Sequence, residues 1–93
     1  KEGLCVLSIL IEEDGSICDS IWIQTIGVPY PESNSALDAT LEDELNKVLI
    51  DLNDLDVSND NELEKFLKTF LKKKLMQYVG KKPLIKILIS RLS

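Results

Sequence analysis

Residues 61–92 constrain the fold more than any other stretch. An amphipathic helix, a Gly-Lys-Lys-Pro corner and an apolar strand follow one another there without a break. Leu63, Phe66, Leu67, Phe70, Leu71, Leu75 and Tyr78 recur at three- and four-residue spacing and form one helical stripe. Lys65, Lys68, Lys72, Lys73 and Lys74 fall mostly off that stripe, toward solvent. Gly80 suits the left-handed position that closes such a helix, and Pro83 cannot continue it. Residues 84–89 are too few for a second helix and rich in β-branched side chains, which predicts a strand. A helix and a strand this apolar need a partner layer from the rest of the chain.

The earlier residues supply one. Leu4 to Ile11 is nearly continuous apolar sequence and predicts a strand buried on most of both faces. Residues 12–15 form the hairpin connection, with Gly15 free to take positive φ, and Ile17 to Ile26 is the second strand. In it Ile17, Ile21 and Ile23 share one face; Cys18, Ser20, Trp22 and Gln24 share the other. A proline-containing loop covers residues 27–34. Ser35 with Asp38 then predicts a helix start, and Leu37, Leu41, Leu45, Val48, Leu49 and Leu52 form its stripe, with Asp38, Glu42, Asp43 and Glu44 outward. Residues 53–59 join the helices, with Asn59 and Glu62 capping the second.

The fold expected is therefore α+β, in the order β-β-α-α-β: a three-stranded mixed sheet covered on one face by two helices. With short connections the last strand runs parallel to the first and lies beside it, which leaves the first central. Two helices cover only one face, yet the first and last strands are apolar on both. Leu84 and Leu88 oppose Ile85, Ile87 and Ile89, and Leu4, Val6 and Leu10 oppose Cys5, Leu7, Ile9 and Ile11. One set has no helix to cover it, and an open apolar sheet face marks an interface. The alternative is that loop residues such as Val28 and Tyr30 fold over it. Trp22, Leu84, Leu88, Leu4 and Val6 are the candidate interface residues. Trp22 on a polar strand face reads equally as an interface anchor or as cover for the hairpin or core.

Composition bounds the chemistry. Ninety-three residues make one domain, and no apolar run approaches the ~20 needed to span a membrane. The opening Lys1-Glu2, without an initiator Met, suggests a piece of a longer protein. There is no His, which removes Ser-His-Asp and Cys-His catalysis and His-ligated zinc. The two cysteines are too few for a disulfide scaffold and out of register for a bond, so a reduced, cytoplasmic setting is expected. The acidic runs at 12–14 and 42–44 read as a turn and a helix N-terminus rather than cation sites. No catalytic, cofactor or metal residue is assigned. The net charge of −5 hides an asymmetry: residues 65–93 hold all but two of the 11 Lys and Arg and none of the 16 acids. Lys72, Lys73, Lys74, Lys81 and Lys82 are candidate RNA contacts, against a reading as a solvated helix end with lysines near its C-terminal dipole.

The lysine-rich helix, the Gly80-Lys81-Lys82-Pro83 corner and the apolar strand closing on Arg91-Leu92 resemble the C-terminal end of bacterial ribonuclease J. The first strand, the Asp14-Gly15 turn, the second strand ending at Gly27 and the acidic helix agree. That family is a metallo-β-lactamase nuclease with a β-CASP insertion that processes RNA with two zinc ions. The resemblance implies that residues 1–93 are its small non-catalytic C-terminal domain, which supports oligomerisation and activity. Zinc would belong to the catalytic domains of the parent, and no metal residue carries over to this chain. The implied partners are a second copy or those catalytic domains, with RNA reached through the parent. The alternative is a free-standing protein–protein interaction or regulatory module.

Overall fold

A computed structural model describes residues 3–12, 17, 21–30, 32–51 and 59–92, with residues 50 and 51 described by their backbone alone. Its elements are β1 (Leu4–Ile11), β2 (Trp22–Ile26), α1 (Asn34–Asp51), α2 (Asp60–Tyr78) and β3 (Leu84–Arg91). The sheet order is β2-β1-β3, with β2 antiparallel and β3 parallel to the central β1. This is the expected mixed three-stranded sheet. Residues 13–15 of the expected hairpin turn and residues 53–58 of the interhelix loop lie outside the described residues.

The strands alternate as a half-buried sheet must. On β1, Cys5, Leu7, Ile9 and Ile11 are buried, whereas Leu4, Val6, Ser8 and Leu10 stay partly open. Ile23 and Thr25 of β2 and Ile85, Ile87 and Ile89 of β3 turn to the same side as the buried set. The helices complete the core with Leu37, Leu41 and Leu45 from α1 and Leu63, Leu67, Phe70, Leu71 and Leu75 from α2. α1 packs chiefly on β2 and α2 on β3, while the helices touch each other little. Val28 is buried and Tyr30 packs against this same core, so the loop joins the helix side and does not cover the opposite face.

Three boundaries differ from the sequence reading. The ladder of β2 begins at Trp22, and Ile17 makes a single antiparallel bridge to Ile11. Two extra residues stand on the β2 side between that bridge and the Ser8–Trp22 pair, so the register slips there. β3 runs on to Arg91, whose Nε donates to Asp60 Oδ1 at 2.8 Å. α1 is capped by Ser33, not by Ser35: Ser33 Oγ accepts from the Ala36 amide at 3.1 Å. The α2 caps follow the sequence, with Asn59 Oδ1 accepting from the Glu62 amide and Gly80 at φ +74° closing the C-terminus.

The largest departure concerns the α1 acids, expected to be solvated. The Thr25 amide and hydroxyl both donate to Asp38 Oδ1, at 2.8 and 2.7 Å. The Ile23 amide donates to Glu42 Oε2 at 2.9 Å. These amides turn away from β1, toward what would otherwise be a bare sheet edge. Four helix residues rise ~6 Å and two strand residues ~6.8 Å, so carboxylates at i and i+4 match amides at i and i+2. Glu44 accepts from the Tyr78 hydroxyl and pairs with Lys74 at 2.7 Å, tying α1 to α2. Only Asp43 behaves as a surface acid, in an exposed pair with Lys47.

Asp38→Ala leaves the buried Thr25 amide without its acceptor and the Thr25 hydroxyl with only the Asn34 carbonyl oxygen, 3.4 Å away. It is expected to lower stability by about 2–3 kcal/mol in urea unfolding, whereas Asp43→Ala stays within about 0.5 kcal/mol. Gly3, at φ +98°, has no room for a methyl group: its Cβ would stand 2.7 Å from the Ile26 carbonyl oxygen. Gly3→Ala should cost at least about 1–2 kcal/mol in the same measurement, because the atoms it would meet, on Ile26 and Gly27, are all backbone and cannot yield.

Candidate functional site

Two surfaces emerge once the helices are in place. The first is the uncovered sheet face. Its residues line up in rows across the strands: Ile26, Leu4 and Leu84; then Gln24, Val6 and Lys86; then Trp22, Ser8 and Leu88. Leu84 is 64% exposed, Ile26 51%, Trp22 50% and Leu88 44%. Leu4, Val6 and Leu10 are partly buried between them. Lys86 is the one charged strand residue on this face among the described residues. The five residues singled out in the sequence are thus brought onto one face. Ile26 and Leu10 belong with them, and their even-numbered place in the strand alternation was the available signal.

The second surface is a groove between α2 and the start of β3. One section of about 610 Å³ is lined by Lys68, Lys72, Lys82 and the backbone corner at Gly3, over Pro83 and Leu84. A neighbouring section of about 370 Å³ shares Lys72, Lys82, Pro83 and Ile85, and adds Lys73 and Met76. Of the five lysines grouped by sequence, Lys72, Lys73 and Lys82 line this groove. Lys74 does not: it is bound to Glu44 and lies 5.9 Å from the centre of the Phe70 ring. Lys81 is exposed and lines neither section. Lys68, absent from the sequence grouping, enters because residues four apart share a helix face whereas 72 and 74 diverge by about 200°.

Among the described residues no three His, Cys, Asp or Glu side chains could hold a metal ion. The described residues therefore do not fit a zinc site. Cys5 is a free thiol fully buried in β1. Burial, reinforced by the nearby Asp38 carboxylate, pushes its pKa up to about 12, which keeps it a neutral core side chain instead of a nucleophile. Among the described residues no helix is long and apolar enough to cross a membrane.

The comparisons with known proteins fit this architecture. The family model for the ribonuclease J C-terminal domain matches residues 1–92, almost the whole of the 93-residue chain. No curated protein matches it. On that match over its whole fold, the chain belongs to the ribonuclease J C-terminal domain family.

Proposed function

We propose that this domain is a non-catalytic accessory part of a ribonuclease J-like RNA-processing nuclease, and that it holds two copies of the parent together through the uncovered sheet face. Hydrolysis, and the zinc ions that would serve it, belong to other domains of the parent in the cytoplasm. The observation that carries the reading is the pairing of a shut helix side with an open apolar side on one small sheet. Residues Ile26, Trp22, Leu84 and Leu88 stand at both flanks of that face. Exposed apolar side chains so arranged lower the free energy of a partner with the same pattern, at roughly 25 cal/mol for each Å² removed from water.

A second copy is the occupant that the face suits. The single lysine on it imposes little like-charge repulsion on a two-fold contact, in which each patch meets itself. The charge asymmetry supports the same occupant: the acids of α1 lie over β2, and the lysines of α2 lie over β3. A two-fold axis parallel to the strands sets β2 of one copy over β3 of the other and so brings unlike flanks together.

Light scattering over a concentration series is expected to show a dimer or larger assembly. Leu88→Asp should return it to a monomer with an unchanged urea midpoint. Leu7→Asp, which buries a charge on the helix side, should unfold the domain altogether. A chain that stays strictly monomeric at the highest concentration would overturn self-association and leave the parent's catalytic domains as the partner of this face.

A further inference from the structure

We propose that the groove between α2 and the start of β3 binds the phosphodiester backbone of a single-stranded nucleic acid. Three lysines from two elements converge there: Lys68 and Lys72 from α2, and Lys82 from the corner before β3. Lys73 stands in the adjoining section. Among the described residues no Asp or Glu lines either section. Lys68 is paired with Glu64, whose carboxylate stands 3.4 Å from its ammonium in an exposed i, i+4 pair, and Lys82 engages a partner of its own. Such a pair is worth well under about 1 kcal/mol and yields readily to a phosphate. Lys72 and Lys73 make no ion pair with any described residue.

The floor decides the form of ligand. Met76, Pro83 and Ile85 present apolar surface beneath the ammonium groups. A single strand can lay sugars and base faces on such a floor while its phosphates meet the rim. A duplex keeps its bases inside and would offer the floor only charge. From Lys68 to Met76 the helix rises ~12 Å, the axial length of about three nucleotides in a stacked strand. Among the described residues no aromatic side chain lines the groove, so the bases are neither stacked on a ring nor read by their edges, and binding is indifferent to sequence.

The groove borders the open sheet face at Leu84, which lines both, but Lys72 and Lys73 lie on the helix layer, so their substitution tests the groove without touching the self-association face. The test is fluorescence anisotropy of labelled oligo(U) and oligo(dT), about 12 nucleotides each, with the 93-residue chain at rising salt. Three phosphates neutralised by Lys68, Lys72 and Lys73 give a slope of log K against log salt of about −2. Lys72→Glu is expected to weaken binding at least fivefold and flatten the slope, with circular dichroism and urea midpoint unchanged. Lys47→Glu, the same charge change on the far helix, stays within twofold. Equal affinity for the two strands assigns recognition to the shared backbone, and tighter RNA binding adds the 2′-hydroxyl to the same groove. Absence of binding to either strand at 50 mM salt, or an equal loss in Lys47→Glu, would overturn the proposal.

Discussion

Two carboxylates on α1 hold this domain in its arrangement. Asp38 and Glu42 receive the outward amides of Thr25 and Ile23, and in doing so they fix where α1 lies and at what angle it crosses β2. An edge strand with bare amides invites pairing with another chain. Here the bonds come from the domain's own helix, and Thr25, the one buried polar side chain among the described residues, adds its hydroxyl to Asp38. Hydrogen bonds to a charged acceptor are roughly twice as strong as neutral ones, which suits an anchor set on a short five-residue strand. Apolar burial by Leu37, Leu41 and Leu45 supplies the driving force, and the carboxylates supply the register.

The rest follows from that anchor. With α1 fixed over β2 and α2 drawn over β3 by its leucine and phenylalanine stripe, both helices are used on one face. Nothing remains in the described chain to cover the other. The same division sorts the charges. The acids of α1 are taken up by β2 amides, Tyr78 and Lys74, while the outward lysines of α2 meet Lys82 across a groove. A small domain thereby presents an apolar face and a basic groove on different sides of one core, as an accessory part of an RNA-processing enzyme can use them.

Much of this was legible in the residues. The helical spacing of Leu63, Leu67, Leu71 and Leu75 and the period-two strand pattern together give the layers, the sheet order and the open face. What was not legible is instructive. The α1 carboxylates look like ordinary solvated helix acids, because nothing local in the sequence says that a strand 13 to 19 residues earlier will present amides to them. The lysines grouped by adjacency, 72 to 74, were divided by the helix itself, which sends Lys74 toward Glu44 and Lys72 toward the groove. Register slips between Ile17 and Trp22 for a similar reason: alternation fixes which face a side chain takes, and a slip of two residues leaves that unchanged.

The measurement that bears most directly on this arrangement is amide hydrogen exchange, resolved by NMR at Ile23 and Thr25. Closure of the β2 edge by Glu42 and Asp38 predicts protection at both positions comparable to the central strand β1, at every protein concentration. Exchange at the rate of free peptide, or protection that appears only as concentration rises, would mean that the edge is bare in the single domain. The helix layer would then not be anchored as described.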